Sequence, residues 1–425
     1  MDQKLYSAYL NILREELLPA MGCTEPIALA YAAASARALL GKMPEKVRVD
    51  VSGNLIKNAM GVTVPNTDGM RGIEAAVAAG VVAGNAKKKL ECIAAVNDSD
   101  RENIREYLAK NIITVELCES ELAFDCTVTV EAEGESALIR MANAHTNIVH
   151  REKNGEVISS TPVTCESEDG MSSHECLTVE NIIEFAEAVD LSEVEDLLSR
   201  QIEYNTAISR EGLTNPWGAC IGQTLMAVAG DNIMNRAKAR AAAGSDARMN
   251  GCAMPVVILS GSGNQGMTAS LPVITYAEEQ NRSREELLRA LVVSDLCTIH
   301  LKTYIGRLSA FCGAVCAGAG AGAGICYLEG GRMREVAHTL VNALGISSGI
   351  VCDGAKASCA GKIALAVEAG ILGWEMFKNG TQFYSGEGII TKGVENTIRN
   401  VGILGHDGMK ATDKTIMDIM LRKNC

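Results

Sequence analysis

Residues 310–328 read AFCGAVCAGAGAGAGICYL, nineteen positions without a charged side chain. That length is sufficient to cross a bilayer, but Ala and Gly contribute little transfer free energy, so length alone does not make a membrane span. A helix of this composition has almost no side-chain volume to hold its neighbours away. It belongs in the interior of a helical region, with other helices crossing it at close range. The composition agrees: aromatic residues are 4% and hydrophobic residues 47% of the chain, so the core is built from Ala, Val, Ile, Leu and Met packed at short range. A chain of 425 residues has room for two or three domains and a large core.

Two textures divide the chain. In the first 175 residues, apolar alternation predicts strands over 46–51 (KVRVDV), 112–117 and 126–132, and Ala-rich or capped periods predict helices over 26–40, 72–84 and 98–110. The opening twenty residues form an amphipathic helix pattern. Gly155 and the Ser/Thr-rich run to Ser173 read as a closing loop. From residue 177 onward alternation gives way to helix-length periods over 179–189, 191–210, 217–242, 284–305, 309–328, 333–344, 355–377 and 392–404. The expected fold class is α+β: a mixed α/β region over 1–175, then a predominantly helical domain over 176–425. No fixed-period repeat indicates a solenoid.

Charge and cysteine usage narrow the function. Lys plus Arg number 39 against 52 acids, a net charge of -13, which is unsuited to holding nucleic acid or an anionic membrane surface. Fifteen cysteines is an odd number and no CxxC pair occurs, which argues against a disulfide framework and a zinc ribbon. With an amphipathic helix in place of a signal segment at the start, a cytoplasmic protein is expected.

Cys23, in Met21-Gly-Cys-Thr-Glu-Pro26, stands one or two residues before a helix start, where the helix N-terminus favours a thiolate suited to nucleophilic attack or metal ligation. Cys352-Asp-Gly354 precedes the helix expected over 355–377 in the same way. Cys312 and Cys316, four apart, share a helix face, and spacing alone does not choose between them. Cys352 and Cys359 would lie about 10.5 Å apart on a continuous helix, too far for one compact cluster. Most remaining cysteines fall within apolar patterns and read as small buried hydrophobes.

Gly261-Ser-Gly-Asn-Gln-Gly266 matches the letter of the dinucleotide fingerprint after a strand-like 256–259. Its context argues against that use, because Pro272 falls in the segment that should be the phosphate-binding helix and no second strand ends in an acid. Either Ser262, Asn264 and Gln265 offer amides and backbone N–H groups to a small carboxylate, or the loop is structural. His145 and His150, in HTNIVH, are five apart, a spacing that suits neither a helix face nor a strand face. His145 beside Thr146 and Asn147 is a candidate general base, although either histidine taken alone reads first as hydrogen-bonded structure. Asn54, Lys57 and Asn58 form a polar cluster at a strand end.

Taken together, Gly22-Cys-Thr-Glu-Pro26, His145 to His150, Ser245-Asp-Ala-Arg-Met249, Ser260 to Gly266, Arg307-Leu-Ser-Ala310 with Cys312, and Cys352-Asp-Gly-Ala355 with Ser358-Cys-Ala360 resemble the L-cysteine desulfidase family. That family is related to the iron-sulfur L-serine dehydratases through their helical alpha domain, and the resemblance runs from residue 21 to about residue 415. It implies a lyase of cysteine catabolism that converts L-cysteine to pyruvate, ammonia and hydrogen sulfide with an oxygen-sensitive 4Fe-4S cluster and no pyridoxal phosphate. On the family pattern Cys23, Cys312 and Cys352 hold the cluster and leave one iron open. His145 is then the first candidate base, with His150 and Lys57 behind it. Thr24, Asn54, Asn58, Asn147, Ser262, Asn264 and Gln265 are candidate contacts for the small amino-acid substrate. Such a cluster would join the N-terminal region to the helical half, with substrate at the junction.

Three other readings compete: L-serine deamination by the same elimination, a cluster-containing regulatory protein that binds cysteine without turnover, and a pyridoxal-phosphate lyase, for which no lysine sits in a phosphate-loop context. The Ala/Gly-rich helices suit contacts between subunits as well as within one, so a homo-oligomer is compatible with the sequence.

Overall fold

A computed structural model describes residues 1–120, 122, 124–163, 172–306 and 309–421. The first elements are α1 (Gln3–Glu16), β1 (Leu18–Met21), α2 (Thr24–Leu40), β2 (Lys46–Val51), α3 (Gly53–Ala59), α4 (Gly72–Ala83) and α5 (Asp98–Ala109). Strands β3 (Ile113–Leu117), β4 (Asp125–Ala132), β5 (Glu135–Ala142), β6 (Ile148–Lys153) and β7 (Glu156–Ser160) follow. Together β2 to β7 form one mixed sheet in the order β3-β2-β4-β5-β6-β7, with β2 and β3 parallel and the other neighbours antiparallel. Alternation does the work expected of it: in KVRVDV the three valines are buried and the intervening residues face outward. The valines meet Ile27 and Leu29 of α2 and Val77 of α4 in one core.

The sequence pattern anticipates β2, β3 and β4 but misses β5, β6 and β7. Their turns are the reason. Glu133-Gly134 and Asn154-Gly155 both take positive φ at two successive residues (51° and 78°, 53° and 81°), the backbone of tight hairpins whose twist matches that of the strands. Gly155 therefore lies inside a hairpin and does not open a loop; of the rest of the expected loop, residues 164–171 lie outside the described residues, as do Arg307 and Leu308.

The second half holds α6 (Val179–Ala188), α7 (Glu195–Thr214), α8 (Ile221–Val228), α9 (Ile233–Met249), β8 (Pro255–Ile258), α10 (Gly263–Glu279), α11 (Arg284–Thr303), α12 (Gly313–Leu328), α13 (Met333–Ser347), α14 (Cys359–Lys378), α15 (Val394–Ile403) and α16 (Lys410–Leu421). The α+β class expected from the sequence is the class observed. The period over 217–242 is two helices, broken where Gly230 turns at φ 80° and the Asn232 side chain caps α9 by accepting from Asn235 N. Pro272 does not interrupt its helix but lies inside α10. The dinucleotide reading still lacks its sheet, because β8 pairs antiparallel with β1 in a two-stranded ribbon and α10 leads into another helix.

The Ala/Gly helix α12 is the axis of the helical half. A Cβ on Gly318 or Gly322 would run into backbone of α14 (the carbonyls of Ala366 and Gly370), and one on Gly320 would meet Thr298 of α11. Glycine thus lets helices cross at backbone contact on two sides of α12. Among the described residues no helix is long and apolar enough to cross a membrane.

Both ends of the chain cross over. Tyr9, Ile12 and Leu13 of α1 are buried in the core of the helical half. At the other end, α16 lies on α3 of the α/β half, where Asp413 pairs with buried Lys57.

A buried polar pair yields a stability prediction. Gln201 Nε2 donates to Asp295 Oδ1 at 3.0 Å, while Gln201 Oε1 and Asp295 Oδ2, both acceptors, have no partner. Burial pushes the Asp295 carboxyl from 3.8 up to about 7. The unfolded chain ionises this group at lower pH than the folded chain, so its contribution to stability falls as pH rises from about 4 to about 7 and levels off above. Asp295→Asn removes that dependence. The melting-temperature difference between variant and wild type should grow in the variant's favour across this window; a flat difference would refute the assignment.

Candidate metal centre and active site

Cysteines from four segments converge on one cavity of about 880 Å³ between the two halves. Cys23 is the N-cap of α2 and Cys312 the N-cap of α12; neither helix start has a side-chain cap hydrogen bond, so free backbone N–H groups remain near each thiol. Cys312 and Cys352 are fixed together by a short antiparallel bridge between Phe311 and Val351, with Cys312 N donating to Ile350 O at 3.0 Å and Cys352 N donating to Ala310 O at 2.6 Å. The bridge sets Cys312 and Cys352 side by side, and both line the cavity. The bridge also explains why α12 begins at Gly313 and not at 309.

Cys352 does not precede a helix as expected. After it the chain turns through Gly354 at φ 94°, where a Cβ would collide with the Lys57 carbonyl oxygen, and α14 begins only at Cys359. Cys352 and Cys359 therefore do not share a continuous helix, and the separation inferred from one does not apply. Both line the cavity with Cys23 and Cys312. Cys316 faces the helical core and does not line it.

Burial raises the thiols of Cys23, Cys312 and Cys359 above the ordinary cysteine range. Burial pushes Cys23 up to about 12, with the nearby Arg248 guanidinium opposing, and burial followed by the neighbouring Cys352 pushes Cys312 up to about 12. Burial likewise raises Cys359. Buried thiols of this kind lose their protons to a bound metal and not to water. Among the described residues no three His, Cys, Asp or Glu side chains close on a single ion. Cys23, Cys312, Cys352 and Cys359 give the cavity a soft sulfur donor set, the chemistry by which iron-sulfur groups are held. Arg248 and the uncapped helix starts supply positive potential at the cavity, while burial holds Lys302 below its ordinary value.

The sequence-predicted residues sort into those that line the cavity and those that do not. His145 lines it, with its ring against Phe124 at 4.9 Å between centroids. Asn147 stands behind, its Nδ2 donating to Ala142 O at 3.1 Å and closing the turn that presents His145. His150 lies on β6, 3.1 Å from Ser160 Oγ of β7 and 3.4 Å from Glu152, outside the cavity. Lys57 forms the back wall through its ion pair with Asp413, which does line the cavity. Asn54 and Asn58 face in from α3, and Asn58 Nδ2 donates to Glu25 Oε1 at 3.3 Å. The Thr24 hydroxyl donates to Gly261 O at 3.2 Å, tying the start of α2 to the loop before α10. From that loop Ser262, Asn264 and Gln265 line the opposite wall, Ser262 as the N-cap of α10.

Sequence reasoning gave no role to Glu25, Arg248 or Lys302, all buried and all facing the cavity. The signal available for Arg248 was its place in Ser245-Asp-Ala-Arg-Met249 inside an Ala-rich period.

Residues 87–418 match the family described as serine dehydratase alpha chain. The chain is 56% identical to the UPF0597 protein DSY1109 of Desulfitobacterium hafniense over 99% of this chain and 98% of that one. It is 48% identical to a UPF0597 protein of Finegoldia magna over 98% and 99% of the two chains, and 46% identical to one of Lachnoclostridium phytofermentans over 98% and 100%.

Proposed function

The chain belongs to the serine dehydratase alpha chain family, and from that premise we propose that it is an iron-sulfur lyase that cleaves L-cysteine to pyruvate, ammonia and sulfide. The observation that carries this reading is the convergence of Cys23, Cys312 and Cys352, from widely separated segments, on one cavity lined by polar side chains. These three would hold the cluster, with Cys359 beside them. When bound through three cysteines, a 4Fe-4S cluster keeps one iron open as a Lewis acid for a leaving group or carboxylate.

The chain's own residues supply the rest. His145, which lines the same cavity, would take the α-proton of a bound amino acid. The electron pair released from the Cα–H bond forms the Cα–Cβ double bond as the Cβ–S bond breaks, and hydrosulfide departs. The resulting enamine tautomerises to an imine, which water hydrolyses to pyruvate and ammonia.

The family's description favours a second substrate, L-serine, which requires the same elimination with hydroxide as the leaving group. Iron and acid-labile sulfide per chain in anaerobically purified protein, together with pyruvate formation from each amino acid, test both. About four irons per chain and faster pyruvate release from L-cysteine are expected. Turnover without iron would overturn the cluster assignment, and faster turnover of L-serine would reverse the substrate order.

A further inference from the structure

We infer that Arg248 and Gln265 read the two ends of an α-amino acid, Arg248 taking the α-carboxylate and Gln265 the α-ammonium group. The inference rests on the amino-acid reading above and adds the residues that would recognise the substrate. Arg248 ends α9, is 2% exposed and faces the cavity. Its Nε has no partner, and its one described hydrogen bond is a long one, Nη1 to Asn264 Oδ1 at 3.3 Å. A guanidinium has five N–H donors in a fork that matches a carboxylate, and burying it so sparsely bonded is costly unless an anion completes it.

Gln265 stands in the first turn of α10, 5% exposed and also lining the cavity. Its Oε1 lacks a donor. One wall thus holds a guanidinium whose Nε lacks an acceptor beside an amide oxygen that lacks a donor, a complement to a zwitterion in place of a simple anion. Gly263 makes room for the arrangement, because a Cβ there would collide with the guanidinium. Asn264 steadies Arg248 from the same turn.

The test is calorimetric titration of anaerobically purified protein with L-alanine, which has no leaving group, with propionate, which lacks the ammonium, and with ethylamine, which lacks the carboxylate. Wild-type protein should bind L-alanine more tightly than either fragment. Arg248→Gln should weaken L-alanine about 10- to 100-fold, Arg248→Lys should recover part of that loss, and Gln265→Leu should weaken L-alanine while leaving propionate unchanged. In turnover, the Arg248→Gln loss should fall mainly on KM. L-alanine affinity in Arg248→Gln within about twofold of wild type, or no L-alanine binding by wild type, overturns the inference. A drop in iron content with unaltered L-alanine affinity does so too, since Arg248 would then serve only the cysteines. Wild-type protein that binds L-alanine through Arg248 yet eliminates neither L-cysteine nor L-serine overturns the lyase reading and leaves this one standing.

Discussion

Cys352→Ala, purified without oxygen, should retain little iron and lose elimination activity by at least about 100-fold, the upper range of what removing even an outer-sphere partner of a metal costs. The geometry makes Cys352 the most informative of the cysteines. Its backbone is held by the bridge to Ala310 whatever the side chain, so the fold has little reason to change when the sulfur is removed. The contrast is Cys316→Ala. That thiol is buried among core side chains four residues along from Cys312, and its loss should leave iron content and turnover near wild type while lowering stability modestly. Iron per chain, the visible absorption of the cluster and pyruvate release read all of this in one preparation. Full iron in Cys352→Ala would exclude it as a ligand and direct attention to Cys359, which faces the same cavity.

His145→Ala should lower turnover by about 10²- to 10⁴-fold with iron and sulfide content unchanged, as expected when a positioned general base is lost. His150→Ala serves as the control. It sits on the outer strands, bonded to Ser160, and its removal should change turnover by no more than about twofold. If His145→Ala turns over normally, a base elsewhere on the cavity wall is required, and buried Lys302 becomes the next to replace.

The sequence displayed local physics and hid what depends on long-range packing. The run of Ala and Gly in 310–328 announced close helix crossings, and the glycines do meet the backbones of neighbouring helices. The valines of KVRVDV announced a half-buried strand. Strands β5 to β7 were less visible, since outward Ser, Arg, His and Glu residues dilute their alternation and the hairpin signals lie at Glu133-Gly134 and Asn154-Gly155. Within the site, Cys23 was noticeable because it stands beside a helix-start signal. Cys359 was noticeable in its motif but set apart from Cys352, because the pattern runs one helix from residue 355 and does not reveal that α14 starts only at Cys359. Lys302 and Arg248 resemble many helical basic residues in a linear reading; only the packing of other elements around them reveals that they are buried.

The crossing-over of α1 and α16 fixes when the cavity can be complete during synthesis. Helix α1 is synthesised long before the elements beginning near residue 177 that cover its apolar face among the described residues, and the back wall needs Asp413 of α16. These closing contacts join residues hundreds of positions apart, the kind that form late and slowly. A nascent chain therefore has no finished pocket until α16 has been made, so whatever the cavity binds would be taken up only after that helix emerges. Truncation before α16 would leave that pocket without one wall even where every cysteine lining it is present.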